Sequence, residues 1–323
     1  MHLPVLLKET VDLLGPALQG GGTWVDCTLG LGGHAAALLQ ACPTARLVGI
    51  DRDPAALAEA RRRLTEWSGR TTFALAPFSE MERFLGELGI SKVQGIFADL
   101  GVSSLQLDDA GRGFSFRYDA PLDMRMGRPA DPADEAEESS EELTARVVVN
   151  EYPEEELARI FMEYGEEQQA RRIARGIGKA RAEKPIESTA ELARLIEGLK
   201  PHDFRRQREG KKRVHPATQV FQALRIEVNQ ELEQLEQLLD QATQLLDSSG
   251  RLVVISYHSL EDRIVKHTLR DLASGEIEPI TGRPRAETQV LEVLTRRAVR
   301  PTEQEVSANP RARSARLRAA RRL

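Results

Sequence analysis

The first hundred residues alternate short apolar runs with longer amphipathic ones. Residues 23–28 (TWVDCT), 46–51 (RLVGID), 71–76 (TTFALA) and 93–99 (VQGIFAD) have the length and composition of strands. Between them lie an Ala- and Leu-rich stretch running from the glycines to about Gln40, and one opened by Pro54 with Leu57, Ala60 and Leu64 on one face. Proline suits the first turn of a helix, where the amide it lacks would have no helical partner. Strands without polar alternation are buried on both faces. The pattern therefore predicts an α/β fold, a parallel sheet with helices on both sides.

That rhythm breaks near residue 126. From there to 213 no strand-like run occurs, while Leu157, Ile160, Phe161 and Tyr164, then Leu192, Leu195, Ile196 and Leu199, recur at helical spacing. An all-helical domain inserted at 126–213 follows, dividing the sheet domain into 1–125 and 214–323. Val228, Leu232, Leu235, Leu239, Ala242 and Leu246 then mark an amphipathic helix ended by Gly250. Residues 251–257 (RLVVISY) read as a fifth strand, and 290–294 and 314–317 as the last two.

The strongest chemical signal is the junction VDCTLGLGGH at residues 25–34. Glycines there let the chain turn tightly from strand to helix and approach a ligand closely. Asp51 ends the second strand 21 positions after Gly30, where an acid suits a ribose diol. Spacing alone leaves the ligand open, because Gly30, Gly32 and Ala35 also satisfy the dinucleotide pattern of a nicotinamide-dependent dehydrogenase. Charge separates the two. A pyrophosphate favours a helix N-terminus free of anions. Here Asp26, Asp51 and Asp99 all end strands, and an acidic rim favours S-adenosylmethionine, which has no phosphate and carries a sulfonium and an ammonium.

Several blocks of sequence go further. His2 to Leu7 (HLPVLL), the glycine junction, IDRDP at 50–54, DLGVSS at 99–104, QLDDAGRGFSF at 106–116, PLDMRM at 121–126, HPATQVFQALRIEVN at 215–229, SYHSLEDRIVK at 256–266 and NPRARSARLR at 309–318 occur in order. Together they resemble the bacterial small-subunit (16S) ribosomal RNA cytosine N(4)-methyltransferases, the RsmH or MraW family. The resemblance runs nearly end to end, apart from 131–142 and about 274–287. It implies a Rossmann-like S-adenosylmethionine-dependent methyltransferase fold with an inserted helical domain, and a cytosine in the decoding region as target. It also implies cofactor contacts at Gly32, Gly33, His34, Asp51, Phe78, Asp99 and Gln106. Leu105 departs from the Pro common in the family, leaving Asp99 and Gln106 in register.

Composition narrows the reaction independently. Methylation at carbon-5 of a pyrimidine needs a cysteine that adds to the ring. Cys27 lies in the glycine junction and Cys42 precedes Pro43, so both read as ordinary apolar cysteines. An exocyclic amine instead needs acceptors for its protons and in-line placement against an activated methyl group. Asp99 and backbone carbonyls of the loop after it are the candidates for this, with a purely cofactor-binding Asp99 as the alternative. Tyr257 is a candidate to stack on an extruded base and His258 to orient it, the competing role for His258 being a helix cap. His215 and Pro216 read as a turn, and nothing in the spacing calls for a metal. The D/N/S-P-P-Y/F/W motif of DNA amino-methyltransferases is absent.

The net charge of −5 conceals segregation: residues 131–142 hold seven acids, and residues 296–323 hold nine arginines. That tail and the stretch Arg205, Arg206, Arg208, Lys211, Lys212 and Arg213 are the candidate phosphate contacts. Aromatic residues are 5% of the chain, too few for a broad stacking platform. The expected partner is 16S ribosomal RNA or the small subunit, with the insertion as substrate clamp. A non-catalytic RNA-binding assembly factor would need the basic stretches without the acidic rim. No run of about 18 apolar residues occurs and residues 1–10 lack the layout of a leader peptide, so the expected location is cytoplasmic, without a membrane span. Monomer and homodimer both remain open.

Overall fold

The computed structural model describes residues 4–103, 106, 107, 109–127, 143–200, 215–276, 278 and 285–323. Contacts group the chain into two compact units, Met1–Gly101 with Leu232–Leu323, and Val102–Glu231. These divisions lie outside the 126 and 213 expected from sequence. The reason is packing: Leu122 and Met124 on one flank, and Val220, Phe221 and Leu224 on the other, are buried in the helical core.

The first unit is built on strands β1 (Gly22–Asp26), β2 (Ala45–Asp51), β3 (Thr71–Leu75), β4 (Val93–Asp99), β5 (Leu246–Ser256), β6 (Leu291–Val293) and β7 (Arg316–Arg322), in the order β3-β2-β1-β4-β5-β7-β6. The first five are parallel, and β7 runs antiparallel to both of its neighbours. Successive residues of a strand point to opposite faces. Trp24, Leu47, Val253 and Ala319 accordingly enter one core layer, and Val25, Val48, Val254 and Ala320 the other. Helices α1 (Leu7–Leu14), α2 (Gly33–Ala41) and α3 (Pro54–Arg63) supply Leu14, Leu38 and Leu57 to the first layer. The second layer receives Leu85 of α4 (Met81–Glu87). Asp53 opens α3, its carboxylate accepting from the amides of Ala55 and Ala56 just before Pro54.

In the second unit, α5 (Ala145–Glu151), α6 (Glu154–Glu163), α7 (Ala170–Glu183), α8 (Thr189–Leu199) and α9 (Thr218–Asn229) surround Leu157, Phe161, Ile173, Ile177 and Leu192. Among its described residues there is no strand. Thr144 and Ser188 cap α5 and α8. The loop at 121–126 is fastened to α9: Asn229 accepts from the Met126 amide at 2.9 Å and donates to the Met124 carbonyl at 2.7 Å.

Two elements differ from expectation. Helix α10 (Glu231–Leu245) stops before Leu246 and β5 begins there, because Leu246 already pairs with Val93 across the sheet. Together with α11 (Ser259–Ser274), α10 completes the second core layer through Leu235, Leu239, Val265 and Leu269. The final strand covers 316–322 rather than 314–317. Its arginines alternate with buried Leu317 and Ala319, which hides a core strand inside a basic sequence. No helix among the described residues is long and apolar enough to cross a membrane.

Candidate active site

The chain direction across the sheet reverses between β1 and β4: β2 and β3 are laid down on one side, β5 on the other. Open α/β sheets bind ligands at the carboxyl ends of the strands flanking such a reversal. Asp51, Asp26 and Asp99 end β2, β1 and β4, so the three carboxyl groups predicted at the rim are brought to adjacent strand ends. Thr28 stitches two of them together, donating its amide to Asp26 at 3.2 Å and accepting the Asp99 amide on its hydroxyl at 2.6 Å.

The three are not equivalent. Asp26 is 1% exposed, and burial holds its carboxyl well above the usual range against the opposing bond from the Thr28 amide. Asp26 is buried while Asp51 and Asp99 are partly exposed, so the rim open to a ligand consists of Asp51 and Asp99. Desolvation raises Asp51 to about 6, opposed by the amides of Asp53 and Gly30. Those amides donate at 2.8 Å to Oδ1 and 2.7 Å to Oδ2, so Asp51 ties down the glycine turn, and each oxygen keeps a further lone pair for a diol. Asp99 is raised to about 7, again mainly by desolvation. Its side chain remains 20% accessible, the opening through which it can meet a ligand.

The turn places Gly32 at φ 71°, a left-handed conformation that side chains resist, as the N-cap of α2. Gly33 is required for a different reason: a Cβ there would stand 2.6 Å from Cγ of Pro4. The N-terminal segment thus lies directly on the turn. Val5 offers its carbonyl to Nε2 of His34 at 2.9 Å, and the Leu6 amide donates to Glu305 of α12 (Glu303–Ala308) at 2.7 Å. His34 is buried at 7% exposure, with its ring 4.8 Å from that of Phe97 and its Nδ1 3.8 Å from Asp99 Oδ2. Phe78, half-buried, packs on the core layer in the turn between β3 and α4.

Tyr257 and His258, expected to handle the base, have other partners here. The Tyr257 hydroxyl donates to Asp99 Oδ1 at 2.8 Å, and burial followed by the Asp99 charge holds the phenol well above its usual range. Its ring would stand 3.3 Å from a Cβ on Gly101. His258 occupies the N-cap of α11 in a capping box: its ring faces the Glu261 amide, and Glu261 Oε2 accepts from the amides of Tyr257 at 2.8 Å and His258 at 3.3 Å. Its Nε2 is 3.1 Å from Glu261 Oε1. The His258 side chain therefore caps the helix and holds the loop, the competing role expected for it from the sequence. The pattern His258-Ser259-Leu260-Glu261, a cap with an acid three residues on, was the sequence signal for Glu261, which sequence reasoning passed over. Val5 and Thr28 were also missed, because both act through backbone groups or short hydroxyl contacts that no side-chain pattern betrays.

Gln106 belongs to the second unit, where it exchanges bonds with Ser103: Oε1 accepts the Ser103 amide at 2.9 Å, and Ser103 Oγ accepts the Gln106 amide at 3.2 Å. His215 takes the turn role, accepting the Ala217 amide and lying against the Phe116 ring at 4.4 Å. Cys27 and Cys42 are buried thiols raised by desolvation, unsuited to nucleophilic attack. Ser104 and the basic stretch 205–213 lie outside the described residues.

A doubly wound sheet closed by an antiparallel strand, with a glycine turn facing anionic carboxylates at the reversal, defines a Rossmann-like methyltransferase. The chain belongs to the MraW methylase family, whose model matches residues 1–323. It is 51% identical over 323 residues to ribosomal RNA small subunit methyltransferase H of Thermobifida fusca, covering 99% of this chain and 93% of that one. The protein of the same name from Syntrophotalea carbinolica is 48% identical over 326 residues, covering 100% and 98%.

Proposed function

We propose that this chain transfers the methyl group of S-adenosylmethionine to the exocyclic N(4) amine of a cytosine in the decoding region of small-subunit ribosomal RNA, acting in the cytoplasm on the RNA or the assembling subunit. The observation that carries the reading is the glycine turn facing two ionisable carboxyl groups at the sheet reversal, in a chain related end to end to small-subunit methyltransferases. The donor set fits the molecule: carboxylates complement its cationic centres, where a pyrophosphate would be repelled. Gly32, Gly33, His34, Asp51, Phe78 and Asp99 would hold it. When bound, it supplies a methyl group already activated by its sulfonium.

The chain's own residues supply the remainder. Asp51 holds the turn and has lone pairs left for a diol. Tyr257 fixes the orientation of Asp99 through Oδ1, leaving the exposed part of the carboxyl to accept an amine proton and steer the nitrogen lone pair toward the methyl carbon. The helical unit Val102–Glu231 takes the RNA-recognition role, supported by its separate core and by the basic stretch it contains at 205–213. Mass spectrometry of ribosomal RNA from cells lacking the protein tests the reading: one methyl group missing from one small-subunit cytosine is expected, and an unaltered methylation pattern sinks it.

A further inference from the structure

We propose that His34 is a positioning residue of the transfer step, held by the N-terminal segment in the one tautomer that turns a basic nitrogen toward Asp99. The inference rests on the methyl-transfer reading above and adds the destination of the proton that the reaction releases.

The argument begins with the Val5 carbonyl. A carbonyl only accepts, so at 2.9 Å His34 Nε2 must carry the hydrogen. In the neutral ring Nδ1 is then the basic nitrogen, and it lies 3.8 Å from Asp99 Oδ2. That separation is beyond hydrogen-bond length, but closing it by about 1 Å makes a normal bond. Two proton acceptors so placed repel as bases and attract once one proton is held between them. Desolvation raises the Asp99 carboxyl to about 7, opposed by the bond from Tyr257 and reinforced by Glu261. Asp26 on β1 is buried beside it, Tyr257 donates to Oδ1, and Glu261 on α11 adds a like charge. Tyr257 occupies Oδ1, so Oδ2 is the oxygen facing His34.

The step balances as follows. The amine nitrogen forms its bond to the methyl carbon while the carbon–sulfur bond breaks with its electron pair on sulfur. The nitrogen, now carrying a surplus proton and positive charge, releases that proton to Asp99. Asp99 passes it from Oδ2 to Nδ1 of His34, leaving an imidazolium beside a carboxylate, and the proton leaves to solvent after the products do. His34 touches no reacting atom in this scheme and acts through Asp99.

Two substitutions separate this role from a structural one. Asparagine places a polar atom near the position of Nδ1, and glutamine near that of Nε2. Neither amide is basic enough to take the proton, so H34N and H34Q are both expected to lose about a hundredfold in kcat, although H34Q preserves the bond to Val5. Affinity for S-adenosylmethionine, measured by calorimetry, is expected to change less than kcat in both. A kcat kept within about tenfold of the parent in H34Q, the variant that preserves the bond to Val5, overturns the proposal in favour of a role in anchoring the N-terminus, and one so kept in H34N overturns it because no base is then needed. A loss confined to donor affinity overturns it in favour of a simple ligand contact. Independently of turnover, the imidazole 15N shifts of the parent protein at neutral pH are expected to report the Nε2–H tautomer, and an Nδ1–H tautomer overturns the proposal. If the parent itself transfers no methyl group to small-subunit RNA, the functional reading fails. An active parent with an unimpaired H34Q fails only the proposal made here.

Discussion

At the scale of single residues, desolvation sets the charge of the site. Asp99 near 7 and Asp51 near 6 hold protons in the folded chain at pH values where the unfolded chain, with carboxyl groups near 3.8, has released them. Stability from this source is complete below pH 3.8, declines as the pH rises, and is gone above about 7. D99N should therefore flatten the fall in denaturation midpoint between those limits without lowering it at pH 8, which urea melts across the range would check. A cationic donor selects the ionised forms, so its affinity runs the opposite way. Calorimetry should find S-adenosylmethionine binding roughly tenfold or more tighter at pH 7.5 than at 5.5. A flat profile would take both carboxylates out of donor recognition. In methyl transfer, D99N should lose about a hundredfold or more in kcat while remaining folded. Unchanged turnover would remove Asp99 from the mechanism.

At the scale of elements, the sheet was legible wherever burial on both faces produced uninterrupted apolar runs. Strands β1 to β4 stand in the sequence almost at their structural limits for that reason. The last strand was not, because it lies where arginine stems cover the sheet and their heads pair at its margin. Arg318 donates to Asp262 at 2.7 Å and Arg316 at 3.2 Å, while Leu317 and Ala319 face the core. Side-chain partners so distant along the chain leave no local periodicity. The same distance hid the Tyr257–Asp99 bond, 158 positions apart. By contrast, Gly32 and Asp51 were legible because a tight turn and a strand-end acid impose residue types locally. The paired arginines predict a contrast. D262A should cost about 2 kcal/mol, since it leaves two partly buried guanidinium groups without their carboxylate. E292A, which frees the exposed Arg321, should cost under about 1 kcal/mol. Thermal denaturation of the two variants decides whether β7 is held by its charges as well as its core.

At the scale of the whole molecule, the sheet bears on where RNA can bind. A chain carrying 45 basic and 50 acidic side chains attracts a polyanion only through local patches. Arg316, Arg318 and Arg321 are committed to carboxylates within the first unit, which removes them from the basic tail that the sequence suggested. Arg296, Arg297, Arg300 and Arg313 remain at exposed positions of that unit. Each phosphate neutralised contributes about 0.9 to the slope of log affinity against log salt on a duplex and about 0.7 on a single strand. Replacing Arg296 and Arg297 together by alanine should therefore lower the slope for small-subunit RNA by roughly 1.5, with the denaturation midpoint unchanged. R318A should do the reverse, lowering the midpoint through Asp262 and leaving the slope intact. If the double variant kept the parental slope, the exposed arginines of the sheet unit would lose their claim on phosphate. The electrostatic share of binding would then pass to the basic stretch at 205–213, separating RNA capture from the unit that performs the methyl transfer.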